Sequence, residues 1–332
     1  MSAGMSAYAE ELARRLPRVA PDLRFATLVR HSALDADEQI GLPLRLRRAR
    51  PRLVHHLSLY APFFGWQPTI VTVHDLIHLR YPRFFKRRVG PYYATVVRGV
   101  CARAARVITD DERTIADLER YLGVAPAKVD VIPLGVDDRF LEAGERAAAA
   151  PTVRSQNGTV PYFLYVGNHR PHKDLPTLLT AWATLPEHER VDLRLTGMDD
   201  LEPAARPART SGALRFVGEV EPAKLPPLYA NAVALVYPSL CEGFGLPLLE
   251  AAACGTPVIA CADAIPGVLR AHVTAFAAHD VTGLRAHMLA ALVARQSDRE
   301  PARRVARGLT WDACAERTAE VYRRVLADGP VR

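Results

Sequence analysis

Apolar residues in this chain come in short, dense runs rather than long stripes. In the first half the runs are Phe25-Ala26-Thr27-Leu28-Val29, Leu53-Val54-His55-His56, Thr69-Ile70-Val71-Thr72-Val73, Arg106-Val107-Ile108-Thr109 and Val129-Asp130-Val131-Ile132-Pro133. In the second half they are Phe163-Leu164-Tyr165-Val166-Gly167, Leu193-Arg194-Leu195-Thr196-Gly197, Leu214-Arg215-Phe216-Val217-Gly218, Val233-Ala234-Leu235-Val236-Tyr237 and Pro257-Val258-Ile259-Ala260. Each reads as a buried strand, and the helical or loop segments between them predict two parallel α/β layers. Helical spacing of apolar groups marks Tyr8 to Leu16, which Pro17 is expected to end, and a final helix from Thr310-Trp311 to Val325 anchored by Trp311, Val321, Tyr322 and Val325. Between about 141 and 160 the periodicity fades, with Ala147 to Pro151 and Ser155-Gln156-Asn157-Gly158 at the centre, so this stretch is expected to be a linker. The expected organisation is a first domain over 1–150, a second over 151–310 and a C-terminal helix over 311–332. No sequence repeat relates the halves.

Length agrees with two domains, because 332 residues exceed what one core normally serves. With 49% apolar residues the chain can fill two cores, yet no run approaches the roughly 20 apolar residues of a membrane span. The N-terminus, Met1 to Tyr8, has no basic region followed by an apolar one, so the expected location is cytoplasmic, with peripheral contact at the inner face of a membrane as an extension. Five cysteines, odd in number and without Cys-x-x-Cys spacing, argue against a disulfide framework and against a zinc site. The formal charge of +7 permits an anionic partner without choosing one. Its densest segments, Arg45 to Arg52 and Arg83 to Arg88, read first as solvated faces, next as a surface for anionic lipid headgroups, and last as a nucleic-acid site.

The chemistry concentrates in Cys241-Glu242-Gly243-Phe244-Gly245-Leu246-Pro247-Leu248-Leu249-Glu250, which follows the strand ending at Tyr237. Gly243 and Gly245 let a ligand lie on the loop backbone, and Pro247 opens a helix whose free N–H groups and dipole favour a diphosphate. Glu242 and Glu250 can face one crevice at the carboxyl end of the strand, where two acceptor-only groups suit a partner rich in hydroxyls. The bland alternative is a turn and a dipole-complementing carboxylate. His74 stands just past another strand, where a lone His is more often structural. His74-x-x-x-His78 has the spacing of a metal pair but no third ligand. Gly167-Asn168-His169-Arg170-Pro171-His172-Lys173-Asp174 supplies cations that can neutralise a departing diphosphate. Asp35-Ala36-Asp37 is read as an acidic loop, since isolated three-residue motifs are weak.

Glu242-Gly-Phe-Gly-Leu-Pro-x-x-Glu250-Ala followed by Cys254-Gly-Thr-Pro-Val resembles the Glu-(seven residues)-Glu motif of family-4 retaining glycosyltransferases. Val71-Thr72-Val73-His74-Asp75 and Tyr165-Val166-Gly167 with Lys173 resemble further segments of that family. The resemblance implies a GT-B fold of two facing Rossmann-like domains, with the last helix crossing back to the first domain. It implies a nucleoside-diphosphate sugar donor carrying mannose, glucose or a similar sugar, and a hydroxyl acceptor in glycan, polysaccharide or glycolipid biosynthesis. Retention is attributed in the family to same-face attack assisted by the leaving phosphate, without metal, cofactor or nucleophilic carboxylate. The residues assigned catalysis are His74, Lys173 and Glu242. Donor-binding roles fall on Gly4, Arg170, Val217, Gly243, Phe244, Gly245, Leu246 and Glu250, with Glu250 taking the ribose hydroxyls. Arg170 replaces an arginine that some members carry directly after the glycine, where this chain has Asn168. Nucleic acid is not an expected partner.

Two departures from the family pattern stand out. Where Leu-Pro-Glu-Val is common, this chain has Ile265-Pro266-Gly267-Val268. In the family a strand and a Gly-Gly loop precede the first helix; Gly4 and Tyr8 match the end of that loop, so the first domain is expected to lack its opening strand, with the missing part upstream, and to be marginal without it. A sugar-nucleotide epimerase of the same fold and a degenerate, non-catalytic transferase are the rival readings.

Overall fold

The computed structural model describes residues 3–28, 37–85, 89–149, 160–207, 210, 212–293 and 300–328. They form two compact units: residues 1–135 together with 311–332, and residues 136–310. Among the described residues no helix is long and apolar enough to cross a membrane.

The first unit is built on a parallel sheet in the order β1 (Val54–His56), β2 (Thr69–Thr72), β3 (Arg106–Thr109), β4 (Val129–Val131). Val71, Val73 and Val107 lie in a core with Val97, Val100, Cys101, Leu118 and Leu122. The first helix, Ala3–Val19, buries Tyr8, Leu12 and Leu16, which recur every four residues along one face. It packs against the last helix, Trp311–Ala327, where Arg15 and Arg18 both bind Asp312 Oδ1 at 2.5 Å. Pro17 does not end the first helix as expected. A proline in the last turn removes only its own backbone bond, and the Ala20 N–H still donates to the Leu16 carbonyl at 3.0 Å.

The run at Phe25 also departs from expectation. Residues 25–28 pair in no strand, with Leu28 53% exposed, while the Phe25 ring rests against Tyr322 at 6.3 Å; Val29 lies outside the described residues. An apolar run makes a strand only when both its faces find cover, and this one does not.

The second unit holds a six-stranded parallel sheet in the order β10-β9-β8-β5-β6-β7. Its strands are β5 (Tyr162–Tyr165), β6 (Asp192–Leu195), β7 (Leu214–Phe216), β8 (Ala234–Tyr237), β9 (Val258–Cys261) and β10 (Thr274–Phe276). In chain order this is 3-2-1-4-5-6 read from the β7 edge, the doubly wound dinucleotide-binding arrangement. Every residue of β5, β8 and β9 is buried. Helix Leu175–Ala183 covers one face, and its Trp182 donates from Nε1 to the Val191 carbonyl at 2.9 Å.

The expected boundary at 150 is displaced. Residues 138–149 are one helix of the second unit, not the start of a linker. Asp137 Oδ1 accepts from the Arg139 N–H at 3.1 Å at its start, Phe140 meets Tyr229 edge to face at 5.9 Å, and Gly144 lies directly on the next helix of the packing. Residues 150–159, the rest of the expected linker, lie outside the described residues. A Cβ on Gly144 would stand 2.6 Å from the Ala253 carbonyl oxygen and 2.9 Å from Cys254 Cα. Alanine normally strengthens a helix by about 1 kcal/mol over glycine. Here backbone must move to admit it, at a cost of about 1–3 kcal/mol, so Gly144→Ala is expected to lower the thermal midpoint rather than raise it.

Candidate active site

β5 and β8 are neighbours, paired Phe163 with Ala234 and Leu164 with Leu235, although β6 and β7 come between them in the chain. To one side of them the sheet runs on to β6 and to the other to β9, so the loops leaving their carboxyl ends diverge and open a crevice there. The loop after β5 is tightly fixed. The Gly167 N–H donates to Thr196 Oγ1 at 3.0 Å, the Tyr165 hydroxyl donates to the Asn168 carbonyl at 2.5 Å, and the Lys173 N–H donates to the Arg170 carbonyl at 2.8 Å. The loop after β8 is tied to it by the Leu240 N–H, which donates to the His172 carbonyl at 2.9 Å.

These bonds bring Lys173 against Glu242. The ammonium donates to Glu242 Oε1, and the two side chains are only 8% and 12% exposed. The ammonium also lies 5.5 Å from the centre of the Tyr237 ring, a cation–π position. Burying both charges together is tolerable because each neutralises the other. Beyond Glu242 the chain turns through Gly245, whose φ of 78° is left-handed, into the helix Leu246–Ala253. A side chain at Gly245 would be strained in that conformation, and its Cβ would meet Leu248 at 3.1 Å. No side chain caps this helix start. Phe244 is buried at 3%, so it can offer a ligand its amide but not its ring.

Glu250 faces inward from the same helix. Its Oε2 accepts a hydrogen bond of 2.8 Å from the hydroxyl of Tyr229, which is wholly buried. Burial pushes the Glu250 carboxyl up to about 7, and Asp137 adds to the rise; the Tyr229 hydrogen bond and Arg139 pull the other way without overcoming it. Arg170 is exposed on the loop after β5, and Val217 follows β7, its N–H donating to the Leu195 carbonyl at 2.9 Å.

The remaining sequence-predicted residues belong to the first unit. Gly4 lies in the first turn of the first helix rather than in a loop. His74 follows β2, with its ring edge-on to Tyr8 at 4.8 Å. Nδ1 lies 2.6 Å from Asp110 Oδ2 and Nε2 lies 3.2 Å from the Leu57 carbonyl. Both neighbours are acceptors, so both ring nitrogens are placed to donate. Burial opposes the charge, but the charge and hydrogen bond of Asp110, with Asp75 and the Leu57 carbonyl, hold His74 above its ordinary range. His55 is the contrast: burial, with His56 and His74 adding, pushes it down to about 3, and it bridges Thr72 Oγ1 at 2.8 Å and the Tyr322 hydroxyl at 2.6 Å. His78 turns to the Tyr93 hydroxyl at 3.0 Å, so His74 and His78 take different partners. Among the described residues no group of three or more His, Cys, Asp or Glu could hold a metal ion. Asp37 grips Arg45 at 2.8 and 2.7 Å, while Asp35 and Ala36 lie outside the described residues.

Sequence reasoning missed Asp110 and Tyr229. Asp110 was detectable in principle, since it follows β3 as His74 follows β2, and both sit at the carboxyl ends of adjacent strands. Tyr229 offered no such sign.

Two glycosyltransferase sequence families match the chain in succession, Glycosyltransferase Family 4 over residues 6–140 and Glycosyl transferases group 1 over residues 150–304. The O-antigen chain mannosyltransferase B of Escherichia coli is 27% identical over 84% of this chain and 76% of its own length. A D-inositol 3-phosphate glycosyltransferase 2 of Catenulispora acidiphila is 34% identical over 68% of this chain; the match spans 57% of that enzyme. Among solved structures, WaaG, a glycosyltransferase involved in lipopolysaccharide biosynthesis, superposes with a TM-score of 0.67 at 18% identity, covering 96% of this chain and 95% of WaaG. HepE of Anabaena in complex with UDP-glucose gives 0.66 at 16% identity, covering 86% and 81%. The two parallel-sheet α/β units are of the GT-B class. The chain belongs to the family-4 glycosyltransferases.

Asp110→Asn removes the largest of the influences that raise His74, so the ring should titrate lower than in the wild type, as followed by NMR of the imidazole. Because the folded value is raised, the stability this pair contributes is complete below about pH 6.5 and is lost as pH rises through the folded value. The stability gap between wild type and Asp110→Asn should therefore narrow on the alkaline side.

Proposed function

We propose that the chain transfers a hexose, such as mannose or glucose, from a nucleoside-diphosphate donor to a hydroxyl of a glycan or glycolipid precursor, with retention and without a metal. The observation that carries this reading is the buried Lys173–Glu242 pair at the point where the strand order reverses, beside an uncapped helix start. An ammonium held there can take up the charge that develops on a departing diphosphate, and the helix amides can share it. Glu242, once a diphosphate draws Lys173 toward itself, has its lone pairs available for sugar hydroxyls. Glu250, one oxygen fixed by Tyr229, presents the other to the ribose hydroxyls. His74, its ring held between Asp110 and the Leu57 carbonyl, is assigned to the donor sugar and Gly4 to the donor phosphates, as the resemblance implies. Arg170 and Val217 complete the proposed donor contacts on the phosphate and base sides. The named activities of the mannosyltransferase and of WaaG, and the UDP-glucose held by HepE, support the substrate class.

Lys173→Ala is expected to lower kcat by about 100- to 1,000-fold, and also to cost about 3 kcal/mol of stability, because Glu242 stays buried without its partner. Lys173→Met with Glu242→Gln should recover the stability and not the turnover, while excess chelator should leave the wild type unaffected. Full turnover in the double variant, or loss of turnover on chelation, overturns the mechanism.

The ribose role requires Glu250 to be ionised. A sugar nucleotide's diphosphate is already fully charged near neutrality, so donor affinity should rise as pH climbs through about 7 and then level off. Glu250→Gln should bind more weakly and with no such pH dependence in a calorimetric titration.

A further inference from the structure

Four of the large apolar side chains that stand most open to solvent lie close together in the first unit. They are Ile40, Leu44, Phe64 and Trp66, at 63%, 55%, 67% and 59% exposure. Ile40 and Leu44 are one helical turn apart, the latter in the helix Leu42–Ala49, which turns Pro43 and Leu46 into the protein. The loop carrying Phe64 and Trp66 is bound to that helix and its lead-in by three contacts. The Phe63 N–H donates to Gln39 Oε1 at 2.8 Å, Gln67 Nε2 donates to the Leu46 carbonyl at 3.2 Å, and the Arg47 guanidinium lies 5.1 Å from the Trp66 ring centre.

Helix and loop therefore form one surface, and its charge is of one sign. Arg45 is neutralised by Asp37, but Arg47, Arg48, Arg50 and Arg52 are exposed on the same helix and the segment that follows it. Arginine beside tryptophan, with aliphatic residues between, is the composition of a helix that lies in the plane of a bilayer, its apolar side among acyl chains and its cations at the headgroups. A nucleic acid would use the arginines and aromatics but not Ile40 and Leu44. A second copy meeting through this face would set arginines against arginines.

We propose that this face seats on the surface of an anionic lipid bilayer. It is independent of the donor chemistry, since no residue of the proposed active site takes part. The molecule carries its own probe: of its three tryptophans, Trp182 and Trp311 are buried and Trp66 is open to solvent.

The test mixes the full chain with phosphatidylcholine vesicles that contain or lack phosphatidylglycerol. Expected with the anionic vesicles are sedimentation with the lipid, a blue shift of tryptophan emission, and quenching by brominated acyl chains. Arg47→Glu with Arg48→Glu should weaken partitioning by at least about tenfold, and Trp66→Tyr should remove the spectral change while the melting temperature holds. The proposal is overturned by equal binding to vesicles without phosphatidylglycerol, or by binding that leaves Trp66 unquenched. It is equally overturned by self-association that shields Trp66 without lipid, or by a single-stranded oligonucleotide that shifts Trp66 and displaces the protein from vesicles.

Discussion

A parallel sheet covered on both faces leaves polar groups few places to go except the ends of its strands, and the second unit depends on that constraint. β5 and β8 bury every side chain along their length and carry no charged residue, so the centre of the sheet leaves charge and catalyst to the strand ends. Lys173, Glu242 and Glu250 stand beyond the strands' carboxyl ends, where the reversal of strand order parts the loops. The same constraint governs the first unit, where His74 and Asp110 stand within two residues of the carboxyl ends of β2 and β3.

Charge at these ends is handled by pairing at short range. Lys173 with Glu242 is a buried cation–carboxylate contact and His74 with Asp110 a buried imidazole–carboxylate one, and removing either member leaves a polar group without its partner. Glu250 follows another course: it has a neutral hydroxyl for a partner, and burial leaves its carboxyl balanced between its two protonation states near neutrality. The crevice of the second unit, with one locked pair and one poised group, has most of its electrostatics set before any substrate arrives.

The second sheet and the glycine loop were legible in the sequence because their causes are local. Three of the six strands there, β5, β8 and β9, are continuous apolar runs, β6 and β7 are apolar runs broken by an arginine, and Gly245 together with Pro247 marks a turn into a helix within three residues. What escaped depends on distant partners. Tyr229 and Asp110 meet their carboxylate and imidazole across 21 and 36 residues of chain. β10 is a three-residue edge strand with only Phe276 buried, too short and too wet to show as an apolar run. The helix at 138–149 was hidden by its own Gly144, which propensity counts as a helix breaker and which packing against Cys254 requires. The run at Phe25 erred the other way, an apolar stretch that lacks the cover of a sheet.

The first unit is discontinuous in sequence: it takes residues 1–135 and then, after the whole of the second unit, the helix that starts at Trp311. On the ribosome, therefore, the unit that begins first is the one that finishes last. Through the synthesis of some 175 intervening residues, Tyr8, Leu12 and Leu16 wait without the helix that covers them, and His55 waits without Tyr322. Nascent chains of this protein have residues 136–310 complete while the first unit still exposes an apolar helix face, so a stop codon just after residue 310 would injure the unit built mostly from residues 1–135.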